Sequence, residues 1–332
     1  MENYCTLFDS NYLTRGIALI SSLRSLKEDF HLYVFAFDDL TEEVLNEIDF
    51  DEVTVINKNK LENEELILLK EKRSKAEYCW TCTPLTILYC LENFKIERCT
   101  YLDADIYFFS SPIEILKEME NKFSILITKH NYSKKYDQTS IRGKYCVQFM
   151  SFNNDVEGLK ALKWWKEKCI DWCYAYYEDG KFGDQMYLDD WTERFERVCI
   201  SAKLGCGIAP WNIRDYQVEK TTKNILVKKK ENLESDLLIF YHFHFFKLYD
   251  DGDLRYSYYE IPKSAKKFIY KTYLKELLEA ELKLKNINPE LRNFFRETKP
   301  RKNIIEILRR MKSYLNGTSN RISIKKAIIE KN

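Results

Sequence analysis

Residues 99–109, with the sequence CTYLDADIYFF, govern how the rest of the chain is interpreted. An apolar run enters this segment, Asp103 and Asp105 follow one residue apart, and a second apolar run leaves it. This pattern indicates a buried strand that ends in a pair of carboxylates. Two carboxylates in apolar surroundings repel each other and lose hydration, and a divalent cation relieves both costs. The segment therefore predicts a cation site at the carboxyl end of a strand, where open α/β sheets bind their ligands.

Strand-like and helix-like segments alternate on the N-terminal side of the acidic pair. Residues 4–8, 31–37 and 53–57 are apolar, β-rich runs, and apolar residues recur at helical spacing over 17–26 and 41–48. Such alternation predicts an α/β fold with a mostly parallel sheet flanked by helices.

The C-terminal side of the pair continues the alternation. Further strands are predicted at 123–128, 145–152, 198–201 and 237–243. Helices are predicted over 155–177 and 183–191, and another is predicted to begin at Thr83, the N-cap, with Pro84 in its first position.

The composition excludes several classes of protein. Of the 332 residues, 45% are hydrophobic and 32% are charged, which is an ordinary balance for a globular chain. With nine glycines, the chain has no glycine-rich phosphate loop.

The N-terminus lacks a secretory signal, so the ten cysteines are interpreted as reduced thiols of a cytoplasmic protein. Two cysteine pairs, Cys79/Cys82 and Cys169/Cys173, leave zinc as the less favoured alternative to thiols in the core.

Charge divides the chain into a predicted main domain, 1–262, and a basic helical extension, 263–332. The extension holds 19 Lys and Arg against 7 Glu, and the domain holds 34 basic against 45 acidic residues. Within it, residues 299–326 surround an amphipathic stretch at 303–315. This pattern favours an anionic membrane surface as a partner. The alternative is a helix packed on the domain or on a second copy of the chain, and in the second case the protein would be a homo-oligomer. No nucleic-acid partner is expected, because the domain is acidic.

Residues 237–247, LLIFYHFHFFK, form a second informative tract. His242 and His244 lie on the same side of the predicted strand. One histidine added to two carboxylates gives a ligand set that suits Mn²⁺ as well as Mg²⁺, and Lys247 is a candidate phosphate partner. The alternative is a strand end with two hydrogen-bonded histidines.

A third tract, residues 181–191 with the sequence KFGDQMYLDDW, places Asp184 and Gln185 at the start of a predicted helix. The helix dipole favours a carboxylate in this position, so a simple helix cap is the alternative to a functional role.

The order of these motifs resembles the GT-A-fold glycosyltransferases, specifically the family 8-like group that uses nucleotide-diphosphate sugars, in its bacterial surface-glycan form. The resemblance covers about residues 4–250 and rests on these segments: DSNY at 9–12, YCWT at 78–81, DAD at 103–105, GDQ at 183–185, APWN at 209–212, and the late histidine. It implies a GT-A (Rossmann-like) catalytic domain. One departure is that Cys146 and Gln148 stand where the family often has Asn-x-Gly.

The resemblance also implies roles for individual residues. The nucleotide sugar would be held by Phe8, Asp9, Tyr12, Arg15, Asp103, Ala104 and Lys247. Mn²⁺ or Mg²⁺ would be held by Asp103, Asp105 and His242, with His244 as the alternate ligand. Asp184 and Gln185 would be the catalytic residues at the transferred sugar.

The leading hypothesis is a metal-dependent hexosyltransferase. It would move a sugar from a nucleotide diphosphate, UDP being favoured, to a glycan or lipid-linked acceptor, with retention of anomeric configuration. The expected setting is lipopolysaccharide or capsule synthesis, in the cytoplasm or peripherally at the inner face of the membrane. A nucleotidyltransferase or phosphodiesterase is an alternative that usually needs more carboxylates. The second alternative is a non-catalytic glycan- or membrane-binding protein. It is disfavoured because the candidate site residues are all present: Asp103, Asp105, Gln185 and His242.

Overall fold

The structure is a computed structural model that describes residues 1–120, 122–289, 291, 296–298 and 321–329. The first eight strands are β1 (Glu2–Phe8), β2 (Phe30–Ala36), β3 (Val53–Asn57), β4 (Arg98–Leu102), β5 (Ile106–Phe108), β6 (Ile125–Lys129), β7 (Tyr145–Asn153) and β8 (Val198–Ile200). All except β5 form a sheet that has seven strands within the described residues, in the order β3-β2-β1-β4-β7-β6-β8. Strand β7 runs antiparallel to β4 and β6, and the other neighbours pair in parallel. The predicted mixed, mostly parallel sheet is confirmed.

Helices cover both faces of this sheet. In chain order, the α-helices up to residue 287 are α1 (Leu13–Ser25), α2 (Asp39–Ile48), α3 (Glu64–Lys72), α4 (Lys75–Asn93), α5 (Ile113–Leu116), α6 (Thr139–Arg142), α7 (Val156–Asp171), α8 (Trp191–Arg194), α9 (Lys263–Ala265) and α10 (Lys271–Ile287). Alternation along β1 sends Tyr4 and Phe8 into a core with α1, α2 and α10, and sends Cys5 and Leu7 into a core with α4 and α7. Burial on both faces explains why the strands are continuously apolar rather than alternating.

Smaller sheets extend the fold beyond the acidic pair. Strands β9 (Tyr216–Lys220), β10 (Ile225–Lys229) and β11 (Ser235–Leu237) form an antiparallel sheet. Strand β12 (Phe240–His242) pairs with β5, and β14 (Asp253–Arg255) pairs with both β13 (Lys247–Leu248) and β15 (Arg321–Ser323). A short helix, Ile324–Ile329, follows β15.

The helix predicted to begin at Thr83, as its N-cap, has its N-cap nine residues earlier. Ser74 is the N-cap, and a capping box joins it to Glu77, so that two backbone N–H groups at the start of α4 are satisfied. Pro84 lies inside the helix, at the expense of one backbone hydrogen bond. The prediction was wrong because the Thr-Pro signal is also compatible with a position inside a longer, well-capped helix.

Other boundaries also differ from the predictions. Helix α7 ends at Asp171 rather than at 177, because Trp172 is extended and packs with Tyr174 and Tyr176. The helix predicted over 183–191 is a 3₁₀ helix, Met186–Asp190, that leads into α8.

Two predictions about the C-terminal strands are corrected as well. The single strand predicted over 237–243 is two strands, β11 and β12, which belong to different sheets. Strand β15 lies in the extension, where no strand was predicted, and it is held there by pairing with β14.

The first part of the predicted extension packs on the rest of the chain. Ala280 and Leu284 of α10 share a core with β1 and α1, and Tyr273 and Leu277 share another core with residues of β5 and β12. The amphipathic stretch predicted at 303–315 lies outside the described residues. In the described part of the chain, no helix combines the length and apolar character needed to cross a membrane.

Candidate active site

The two aspartates and a histidine meet at the end of β4. Strand β12 pairs with β5 in a register that places His242 opposite Ile106, and the Phe243 N–H donates to the Asp105 carbonyl at 2.9 Å. Nε2 of His242 consequently lies 3.2 Å from Oδ1 of Asp105 and 3.9 Å from Oδ2 of Asp103. We call Asp103, Asp105 and His242 the acidic corner.

In the acidic corner, burial and the neighbouring charges shift the three pKa values in different directions. Burial raises the pKa of Asp103 to about 6, and the neighbouring Asp105 adds to this effect. Burial also opposes ionisation of Asp105, but the charge and hydrogen bond of His242 lower its pKa to about 2. Burial alone would lower the pKa of His242, yet Asp105 raises it well above the usual value. The carboxylates therefore require a positive charge beside them, which either a protonated imidazole or a bound cation provides.

Gln148 fixes the orientation of His242. The Asp103 N–H donates to the Gln148 carbonyl at 3.0 Å, which places β7 directly beside the acidic corner. The Gln148 amide donates through Nε2 to Thr128 Oγ1 at 3.3 Å, so its Oε1 faces Nδ1 of His242 at 2.9 Å. A proton on Nδ1 leaves Nε2 directed at the carboxylates. Gly207, at φ +74°, leaves room for this amide, because a Cβ there would lie 2.9 Å from Nε2 of Gln148.

The acidic corner fits a hard divalent cation. Its three potential ligand atoms lie within 4.8 Å of one another. Cis ligands of an octahedral Mg²⁺ site are about 3 Å apart at bond lengths near 2.1 Å, so a small inward shift completes the set. The orientation imposed by Gln148 is that of a metal-binding histidine whose other nitrogen donates to a fixed acceptor.

A cavity of about 420 Å³ opens beside Asp105. Its lining residues are Asn11, Tyr12, Arg15, Asp105, His244, Phe245, Phe246, Lys247, Arg296 and Glu297. We call the three cations of this lining, Arg15, Lys247 and Arg296, the basic wall. An acidic corner beside a basic wall offers places for both a cation and an anionic group in one cavity.

The residues predicted to hold a nucleotide sugar divide into three groups. Tyr12, Arg15 and Lys247 line the cavity. Phe8 is only 3% exposed and packs over Gly16, while Asp9 accepts a hydrogen bond from the Asn11 N–H at 3.0 Å and so shapes the turn before α1. The remaining two, Asp103 and Ala104, directly follow β4, and Ala104 is buried.

Asp184 and Gln185 lie in the segment before the 3₁₀ helix. Asp184 is buried, and both burial and the charge of Asp103 raise its pKa well above the usual value. Its backbone carbonyl accepts a hydrogen bond from Trp165 Nε1 at 2.8 Å, which fixes the segment against α7. The Gln185 amide donates to the Arg142 carbonyl at 2.8 Å.

His244, the alternate metal ligand, has different neighbours from His242. It lines the cavity and contacts Trp211, with 5.6 Å between ring centroids. Burial lowers its pKa to about 3, so the ring is neutral at physiological pH. The group of converging ligand atoms at this position contains His242 and not His244.

The two cysteine pairs do not come together as a zinc site. All ten are free thiols, and nine of them are buried. Cys79, Cys82, Cys169 and Cys173 do not converge as a ligand group, since the thiols that do so among the described residues are Cys5, Cys90 and Cys99.

Sequence reasoning missed several residues of the site. Gln148, which stands where the family often has Asn-x-Gly, pairs with His242 in the structure. Arg296 and Glu297 were assigned to the extension, yet both line the cavity. Phe245 has a left-handed backbone, φ +62°, in a bulky residue that is 38% exposed at the cavity. A positive φ cannot be inferred from a Phe-rich run.

Comparison with known proteins supports the fold assignment. No family model matches the chain. Two Bacillus subtilis proteins are similar to it: uncharacterized protein YfnF, 29% identical over 299 residues (88% of this chain and 96% of YfnF), and uncharacterized protein YfnD, 29% identical over 284 residues (83% and 88%). Among solved structures, the galactosyltransferase LgtC in complex with donor and acceptor sugar analogs superposes with a TM-score of 0.51, 9% identity and coverage of 83% of this chain and 95% of LgtC. The protein therefore has a GT-A-type, Rossmann-like fold.

Proposed function

We propose that the protein is a metal-dependent glycosyltransferase that moves a hexose-type sugar from a nucleoside diphosphate to a glycan or lipid-linked acceptor. UDP is our preferred carrier. One observation carries the proposal: in a GT-A-type fold, Asp105 of the acidic corner and the three cations of the basic wall line the same cavity. The fold alone hosts many activities, and this site is what selects among them.

Each side of the cavity has its own part in holding the donor. Tyr12, 42% exposed at the cavity, offers a ring face to the nucleoside base. Arg15 and Lys247 offer charged donors to the diphosphate. Asp103, Asp105 and His242 would hold Mn²⁺ or Mg²⁺. When bound, such an ion neutralises charge on the leaving diphosphate.

Transfer with retention is the stereochemical part of the proposal. The bond between C1 of the sugar and the diphosphate oxygen breaks, and the bond from the acceptor oxygen forms on the same face. The acceptor proton passes to the leaving diphosphate. Gln185, a neutral amide anchored through the Arg142 carbonyl, would stabilise positive charge at C1, and Asp184 would position the sugar.

The experiment that tests this proposal is a screen of nucleotide sugars for hydrolysis and thermal stabilisation with Mn²⁺ present. We expect one uridine-linked sugar to be hydrolysed and to stabilise the fold. Proton NMR of the fresh hydrolysis product from an α-linked donor should then show the α anomer of the free sugar before it equilibrates. The β anomer as first product would contradict retention, and no hydrolysis or stabilisation by any nucleotide sugar would contradict the transferase assignment.

A further inference from the structure

Residues 296–298 belong to the C-terminal extension but reach the proposed donor cavity. The Glu297 N–H donates to the Leu248 carbonyl at 2.9 Å, and the Asp250 N–H donates to the Glu297 carbonyl at 3.3 Å. These bonds pair the segment with the chain that carries Lys247. Arg296 and Glu297 are thereby held at the cavity by backbone contacts as well as by their side chains.

Arg296 is fixed by a buried partner. Its Nε and Nη2 donate to the two carboxylate oxygens of Glu281 at 2.6 and 2.7 Å. The Glu281 side chain is 3% exposed, and that of Arg296 is 17% exposed. This fork-to-fork arrangement fixes the plane of the guanidinium and leaves further N–H donors for a ligand. Arg296 therefore presents an oriented positive group to the cavity.

Lys247 is engaged differently. Its Nζ lies 2.7 Å from Oε2 of Glu297, and the two side chains are 26% and 44% exposed. Exposed ion pairs of this kind contribute little to stability, so a ligand with more negative charge can replace the carboxylate. The Glu297 carboxylate holds the ammonium group where a phosphate oxygen would bind.

The remaining cation of the basic wall has neutral partners. Arg15 donates to the carbonyl oxygens of Asn11 at 3.2 Å and of Phe246 at 3.1 Å. The cavity thus combines an oriented Arg15, an oriented Arg296 and an exchangeable Lys247–Glu297 pair. Planar guanidinium groups match the oxygens of a diphosphate better than point charges do.

We propose that Arg296 is a binding residue for the donor diphosphate, and that Glu297 is a substitute anion that leaves Lys247 when the diphosphate binds. This inference rests on the proposed function, because it specifies how the same cavity recognises its donor. It assigns part of the donor site to a segment beyond the catalytic domain predicted from the sequence.

Binding of UDP and of uridine, measured by isothermal titration calorimetry at fixed Mn²⁺, tests the inference. Uridine lacks the diphosphate, so the ratio of the two affinities isolates the phosphate contribution. Glu297→Gln should tighten UDP binding about threefold to tenfold, because the amide competes less for Lys247. Arg296→Gln should weaken UDP binding about tenfold or more and leave uridine binding unchanged.

Matched variants control for charge and for folding. Glu114→Gln removes one charge from an exposed ion pair with Lys117, and Arg194→Gln removes a guanidinium that is paired with Asp190. Both should leave the affinity ratio unchanged. Arg296→Gln leaves the buried Glu281 with only Lys285, 3.9 Å away, as a cationic partner. The double variant Arg296→Gln/Glu281→Gln therefore keeps the test valid if the single variant unfolds.

The possible outcomes separate the inference from the function on which it rests. If the wild-type protein binds UDP and the Arg296 and Glu297 variants keep its affinity ratio, the inference is wrong and the function stands. If Glu297→Gln weakens UDP binding, Glu297 supports the ligand instead of competing with it, and the inference is again wrong. If the wild-type protein binds none of UDP, ADP, GDP, CDP and dTDP, both the proposed function and the inference fail.

Discussion

The acidic corner, which reaches the cavity through Asp105, and the basic wall are built in different ways. Side chains of the acidic corner follow strand pairings, are between 7% and 28% exposed, and are connected by short contacts. The basic wall combines a helix, a short strand and a C-terminal segment, and its lysine is paired with a carboxylate that is 44% exposed. Buried, fully connected polar groups are costly to disturb, whereas exposed pairs exchange readily with water or ligand. We infer that the corner is preorganised and that the wall adjusts when its ligand arrives.

The largest effect should come from the corner itself. Asp105→Asn removes a carboxylate that faces His242 at 3.2 Å while preserving its size. We expect transfer activity to fall by at least about 100-fold, because metal-ion charge stabilisation supplies several kcal/mol and each 1.4 kcal/mol is a factor of ten. Initial rates with the donor identified in the screen measure this loss, and circular dichroism verifies the fold. Activity within tenfold of the wild type would show that the corner is not catalytic.

A smaller effect is expected at the proposed sugar position. Gln185→Ala should lower turnover by about one to three orders of magnitude, the scale of losing one electrostatic stabiliser, with little change in nucleotide affinity. Comparison of kcat with the Kd for UDP separates these effects. If turnover and UDP affinity fell by the same factor, Gln185 would be assigned to donor binding instead.

Gln148 tests whether the corner is preorganised. Gln148→Leu removes the acceptor that holds Nδ1 of His242, and we expect Mn²⁺ affinity to fall about 10- to 100-fold, as for other groups that orient metal ligands. Thr128→Val is the comparison variant, because it removes the hydrogen bonds of the threonine hydroxyl to the Gln148 amide and the Cys146 carbonyl but keeps the Gln148 Oε1 acceptor that faces His242. Mn²⁺ titrations followed by electron paramagnetic resonance measure both variants. Equal affinity of Gln148→Leu and the wild type would contradict preorganisation of the corner.

The smallest effect concerns the backbone of the cavity at Phe245. Its φ of +62° is unfavourable for any residue with a Cβ. Phe245→Gly should therefore be more stable than Phe245→Ala by roughly 1 kcal/mol, against the usual order of these residues. Urea denaturation measures this difference. At Tyr258, an exposed residue without a positive φ, the glycine variant should be the less stable one. If Phe245→Ala is more stable than Phe245→Gly, as expected for the pair at position 258, the backbone at Phe245 is not strained.

Local patterns were sufficient to predict the main sheet and the acidic pair. The apolar runs around Asp103 and Asp105 require a buried strand, and helical spacing identifies α1 and α2. The start of α4 was missed because two capping signals compete within ten residues, and only packing decides between Ser74 and Thr83. Local sequence therefore locates elements better than it locates their ends.

The contacts that complete the site are not local. His242 reaches Asp105 through the pairing of β12 with β5, and its partner Gln148 is 94 residues away in the chain. Lys247 and Glu297 are 50 residues apart. Residue types and spacing nominate such side chains, but strand register and the path of the chain decide which of them meet.

Coupled binding of a metal ion and a nucleotide tests the central claim most directly. Mn²⁺ titrated into the wild-type protein, with and without UDP, should occupy one site by electron paramagnetic resonance, and UDP should tighten its binding. Asp105→Asn should abolish this site and the coupling with it. UDP binding that is equally tight in excess chelator, or Mn²⁺ binding that survives in Asp105→Asn, would contradict a metal-dependent donor site at the acidic corner.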